Sequence, residues 1–151
     1  MAQRGLAAVR GDKARSRLRL AAVVMVNAEV AMRIHVLKSK IHTARVTEAK
    51  LHYEGSIEID ADLMAACGIR EYEKVLVANF TNGNRYETYA ISAPAGSGHG
   101  SVNGAGARYS CVGDTVTVFA FAEIEVDEEF SPGIIVCDEA NRIKTVVHKG
   151  S

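Results

Sequence analysis

A serine that follows a glycine can attack the carbonyl carbon just before it, converting an amide into an ester through a tetrahedral oxyanion. Glycine lacks a Cβ, so the chain can bend to bring that carbonyl within reach. The oxyanion then needs a donor close by. Gly-Ser occurs four times in this chain, at 55–56, 96–97, 100–101 and 150–151. Any one of these is ordinarily a turn, so the dipeptide alone selects nothing. Other side chains with chemical potential read blandly by themselves. Arg85 has the planar fork that grips a carboxylate, but it also fits a hairpin edge exposed to water. Lys40 suits solvent, His42 suits a structural strand histidine, and Thr88 is an ordinary β-branched strand residue. Tyr89 would be a fair acid once desolvated, or simply core.

The elements that must position these residues are mostly strands. β-branched residues and partial alternation mark 33–37 and 43–51. Asp60 is placed to N-cap a short helix over 61–67, with Gly68 as its C-terminal stop. Strands are expected at 74–80 and 85–93 around Asn82-Gly83, the strongest hairpin signal in the chain. A loop with Pro94 and three glycines follows. The small residues of 102–107 leave backbone rather than side chains to face whatever lies there. Strands at 115–122, largely apolar on both faces, and at 133–137 complete the set. Six or so strands with one or two short helices fit a closed barrel with few edges, although periodicity alone fits a sandwich as well. Thr88 and Tyr89 fall on opposite faces of an ideal strand, so both can serve one site only if the strand twists or meets a subunit junction.

The 151 residues suffice for one domain. Hydrophobic residues make up 48% and charged ones 24%, ordinary proportions for a globular domain. Eighteen basic and eighteen acidic residues cancel, so no overall field favours nucleic acid or an anionic membrane. Cys67, Cys111 and Cys137 have no metal or redox spacing and suit a reducing cytoplasm as packed thiols. Residues 1–31 are Arg- and Ala-rich without turn or strand signals and are expected to be an N-terminal extension outside the fold. The apolar run Leu20 to Val26 within them is too short to span a bilayer. Asn27 and Glu29 break it, which argues against a secretory signal.

Context separates the four Gly-Ser pairs. Upstream of Ser56 run Lys40-Ile41-His42, Val46-Thr47-Glu48-Ala49 and Leu51-His52-Tyr53-Glu54-Gly55; Ile59-Asp60 follows. Further on come Asn82-Gly83 with Arg85, Thr88-Tyr89-Ala90-Ile91, Gly96-Ser97, Val102-Asn103-Gly104-Ala105 and Gly113-Asp114 with Val116. In order and separation these resemble the precursors of the pyruvoyl-dependent aspartate decarboxylases, from Met32 to about Ile143. The resemblance implies a six-stranded double-psi β-barrel spanning 32–143, followed by a C-terminal tail over 144–151. It implies a homotetramer with active sites between subunits. It also implies self-cleavage that leaves a β-chain ending at Gly55 and an α-chain whose Ser56 has become a pyruvoyl group. That group would form a Schiff base with L-aspartate and accept electrons as carbon dioxide leaves. The product would be β-alanine for pantothenate biosynthesis, with no metal and no pyridoxal phosphate.

By the same resemblance Arg85 and Lys40 hold substrate carboxylates, and His42 and Tyr53 line the pocket. Asn103, Gly104, Ala105 and Gly106 contact substrate mainly through backbone N–H groups. Thr88 assists cleavage and contacts substrate, and Tyr89 returns the proton after decarboxylation. Three positions depart from the family pattern: Gly106 where alanine is common, Arg108 for histidine, and Ala78 for a larger residue. The last two bear on pocket shape, so glutamate stands as an alternative substrate. A barrel with the scaffold but no chemistry is the alternative of a different class.

Overall fold

In the computed structural model residues 31–149 are described. The extension expected over 1–31 lies, but for its last residue, outside them. The described chain runs through nine strands: β1 (Arg33–Arg45), β2 (Glu48–Lys50), β3 (Ser56–Asp60), β4 (Lys74–Asn79), β5 (Arg85–Ala93), β6 (Gly100–Asn103), β7 (Thr115–Glu125), β8 (Gly133–Cys137) and β9 (Ile143–Lys149). One α-helix, α1 (Ala61–Cys67), follows β3, and a 3₁₀ turn (Gly104–Arg108) follows β6. The mainly β character is as expected; the strand count is nine rather than six. The first expected segment and the start of the second join in β1, the rest of the second is β2, and three further strands escaped the pattern. β3 is apolar on both sides of Glu58, β6 is built of small residues, and β9 falls where a tail was expected. β3 alternates over five residues only and runs straight into the helix cap, β6 offers little side-chain contrast, and adjacent valines at 146 and 147 interrupt the alternation of β9.

The strands form one ladder in the order β2-β6-β3-β5-β4-β7-β1-β8-β9. Ile57, Val102, Val118, Ile41 and Ile135, from both halves of that ladder, share a single core, so the sheet curls around it. β1 is flanked on both sides, antiparallel to β7 and parallel to β8. Its alternation buries Ser39 and Ile41 and leaves Lys40 and His42 on the opposite face. A register shift between Ile41 and Ala44, with Thr43 at φ 58°, then brings Ala44 inside.

α1 forms where the cap signals place it. The Asp60 side chain accepts from Asp62 N–H, and Gly68 closes the helix at φ 76°. Asp60 does more than cap, accepting also from the Gly96 and Gly98 N–H groups of the 94–99 loop at 3.0 and 2.6 Å. Burial alone would raise its pKa, but these backbone donors and the Arg142 charge outweigh burial and hold the carboxyl below its ordinary value. Asn141 fastens the same loop to β1. Its side-chain N–H groups donate to the Arg45 and Gly98 carbonyls, and its oxygen accepts from Arg45 N–H. The β4–β5 hairpin turns at Asn82-Gly83 as expected, with Gly83 at φ 78°. All three cysteines are free; burial pushes the thiols of Cys67 and Cys137 up to about 11. Among the described residues no helix is long and apolar enough to cross a membrane.

Candidate active site

The first residue of β3, Ser56, is 1% exposed and sits opposite Asn103 in the antiparallel β3–β6 pair. Asn103 Nδ2 donates to Ser56 Oγ at 2.9 Å and to Glu58 Oε1 at 2.8 Å. The Ser101 hydroxyl donates to Asn103 Oδ1 at 3.1 Å. Every hydrogen-bonding atom of the Asn103 amide except one carbonyl lone pair is thereby engaged. Behind Glu58, its second carboxylate oxygen lies 3.2 Å from His99 Nε2. His99 also faces Glu48 at 3.9 Å, and Glu48 pairs with Lys50 at 2.9 Å. A polar chain therefore runs from the buried Ser56 hydroxyl outward.

The next residue after Asn103 explains how the chain fits so closely here. Gly104 has φ 66°, and a Cβ on it would stand 3.0 Å from Gly55 Cα and 3.0 Å from the Tyr53 carbonyl oxygen. Only glycine allows the 3₁₀ turn to lie against the Gly55 backbone. Ala105 is exposed. At Gly106 a Cβ would fall 2.8 Å from Val102 Cγ1 and 3.0 Å from the Tyr86 ring, so this departure from alanine matches space that Tyr86 occupies. Tyr53 is half exposed, with Lys50 Nζ 5.5 Å above its ring.

Lys40, His42 and Arg85 gather elsewhere. Lys40 Nζ and Arg85 Cζ lie 5.7 and 5.8 Å from the centroid of one ring, Phe119. His42 Nδ1 is 3.0 Å from Thr117 Oγ1, and its ring meets Phe80 edge-on at 5.6 Å. Burial first, and then the Lys40 charge, lowers the His42 pKa. Arg85 lines an open pocket of about 260 Å³ with Ala78, Asn79, Phe80, Gly83 and Asn84. Among the described residues neither the Lys40 nor the Arg85 side chain forms a hydrogen bond or ion pair, and no side-chain bond ties their cluster to Ser56.

Thr88 and Tyr89 stand between the two clusters. β5 pairs with β4 through residues 85–89 and with β3 through 90–93. Thr88 is paired with buried Val75, and Tyr89 immediately precedes Ala90, the partner of Ile57. The strand changes partner at the very residues whose opposite orientations were hard to reconcile. Glu58, His99, Thr117 and Phe119 were not singled out from the sequence. Glu58 alone carried a faint cue, a carboxylate between two isoleucines.

Known proteins bear on this arrangement directly. The sequence profile of aspartate decarboxylase matches residues 32–144. An aspartate 1-decarboxylase of Coprothermobacter proteolyticus is 55% identical over 115 residues, covering 76% of this chain and 96% of the relative. That of Xylella fastidiosa is 50% identical over 119 residues, covering 78% and 94%. That of Maricaulis maris is 48% identical over 114 residues, covering 74% and 94%. The chain belongs to the aspartate decarboxylase family.

Proposed function

We propose that the chain cleaves itself between Gly55 and Ser56 and then decarboxylates L-aspartate to β-alanine and carbon dioxide, a step of pantothenate biosynthesis. The observation that carries this reading is the pair of unpartnered cations, Lys40 and Arg85, over Phe119, together with a buried Gly-Ser serine, Ser56, whose hydroxyl accepts from the Asn103 amide. Two cations suit an amino acid with two carboxylates. Arg85 takes one through its fork and Lys40 meets the other as a point charge.

The residues around Ser56 fit the pyruvoyl group expected there. The position is dry, and the close approach of Gly104 to Gly55 supports a backbone held for attack. That group supplies an electron sink for the carbon–carbon bond that breaks. His42 and Tyr53 line the site, and Asn103, Gly104, Ala105 and Gly106 offer polar and backbone contacts. The Thr88 hydroxyl donates to the oxyanion during cleavage, and Tyr89 returns the proton after carbon dioxide leaves.

Sites between the subunits of a homotetramer suit the geometry. Tyr89 immediately precedes Ala90, the register partner of Ile57, and about 13 Å of strand separates Tyr89 from Arg85. A neighbouring subunit would bring Lys40 and Arg85 to Ser56 without that span. Exposed Tyr72, Phe80 and Phe121 offer apolar surface for such contacts. Residues 32–143 would form the catalytic domain, with 1–31 an extension, and the free cysteines suit the cytoplasm.

Intact-mass measurement with turnover assays tests the reading. Two fragments are expected, the second blocked at its N-terminus, with aspartate consumed faster than glutamate. A chain still whole after long incubation, or faster loss of glutamate, would overturn it.

A further inference from the structure

The carboxylate of Glu58 and the imidazole of His99 have no part in the function proposed above, yet they sit directly behind it. An amide side chain has two faces of opposite polarity, and Asn103 must present one of them to Ser56. Ser101 does not decide which, because a hydroxyl can donate or accept. Glu58 does decide, because an ionised carboxylate only accepts. It lies 2.8 Å from Asn103 Nδ2, so turning the amide over would set oxygen against oxygen. The N–H of Asn103 is thereby committed to Ser56 Oγ at 2.9 Å. Glu58 is itself held on its far side by His99 at 3.2 Å. The groups facing His99 are Glu58 and Glu48, with Lys50 paired to the latter.

A donor on Ser56 Oγ does not help the first step of self-cleavage, in which that oxygen attacks and loses its proton. It helps a later one. After the acyl shift Oγ bridges the Gly55 carbonyl carbon and Ser56 Cβ as an ester. A base removes the Ser56 Cα proton, the electron pair forms the Cα=Cβ bond, and the Cβ–Oγ bond breaks. Oγ departs as an oxygen of the Gly55 carboxylate, gaining negative charge as it goes, and an N–H aimed at it stabilises that charge. Water then converts the dehydroalanine to the ketone with loss of ammonia.

We propose that Glu58, braced by His99, is a positioning residue for self-cleavage: it locks the Asn103 amide so that its N–H assists departure of Ser56 Oγ in the elimination step. This rests on the cleavage reading given above. Locking should come mainly from the carboxylate oxygen, so Glu58→Val abolishes it, while Glu58→Gln retains an acceptor and rescues in part.

The test follows freshly purified full-length chain, wild type and both variants, by intact mass with and without hydroxylamine. Hydroxylamine cuts the ester but not the amide, giving an α-chain that begins with serine. For Glu58→Val we expect elimination slowed roughly tenfold, short of the hundredfold or more seen on deleting an oxyanion donor outright. The hydroxylamine-sensitive fraction should rise, with Glu58→Gln intermediate. Wild-type conversion rates in Glu58→Val would overturn the proposal alone. So would uncut chain with no hydroxylamine-sensitive fraction, since Glu58 would then act before the ester forms or only in folding. Wild-type chain that never cleaves would overturn the cleavage reading and this proposal with it.

Discussion

The two clusters of polar residues on this molecule are built on opposite principles. Around Ser56 the groups are buried and mutually saturated: Ser56, Ser101 and Asn103 are each 2% exposed or less. Lys40 and Arg85 lie over the one ring of Phe119, with no anion paired to either among the described residues. A saturated, dry network orients groups that react within one chain, where nothing must enter or leave first. Unpaired cations on an open face await a ligand that brings its own charge. On the function proposed above, self-modification would draw on the first cluster and the substrate's two charges on the second.

Substitutions can break that division. The largest effect is expected from Ser56→Ala: a single uncut chain by mass and no measurable loss of aspartate. Cleavage of this variant would remove Ser56 from its role. Next, Arg85→Ala should raise KM for aspartate roughly a hundredfold, the loss of charge-assisted hydrogen bonds, while mass spectra show cleavage as in wild type. Failed cleavage in that variant would mean the clusters are not independent.

Asp60 belongs to neither cluster but anchors the loop beside the first, and its replacement should act on stability. Asp60→Asn should lower unfolding free energy by about 2 kcal/mol in denaturant titrations at neutral pH. Its folded pKa is depressed, so protonation favours the unfolded chain. The stabilisation is complete above the unfolded value, about 3.9, and is lost as pH falls through the folded one. Asp114, held low by Cys111 N–H and the Asn79 amide, should act in the same direction. The variant's disadvantage should therefore shrink in acid; a constant gap would show that its charge is not the cause. The smallest effect is expected from Thr117→Val, which removes the His42 partner. KM should change by roughly two- to threefold, with cleavage untouched.

Much of the second cluster could be read in the sequence, and less of the first. Asn82-Gly83 announced the hairpin that carries Arg85, and Asp60 and Gly68 bounded α1, because turns and caps are written in single residues. Lys40 and His42 fall on one face by simple alternation. Phe119 and Thr117, far along the chain, became their neighbours only through the β1–β7 pairing, which no local pattern encodes. The same holds for Glu58, whose partners Asn103 and His99 come from β6 and the loop before it. β3 and β6 went unread as strands because β3 runs straight into the cap of α1 and β6 is built of small residues with little side-chain contrast. Thr88 and Tyr89 were expected to share a site only through a twist or a subunit junction; the change of partner that β5 makes between them and Ala90 has no local signature in the sequence.

The place of β1 in the ladder has a mechanical consequence. A cut after Gly55 leaves β1 and β2 on one polypeptide and the remaining strands on another. β1 is clasped on both flanks, by β7 and by β8, and contributes Ile41 to the middle of the core. The severed ends can shift locally, but the shorter piece is woven into the longer and can escape only if the whole sheet unravels. Scission of the backbone there would therefore be silent to the architecture, and two chains would go on behaving as one.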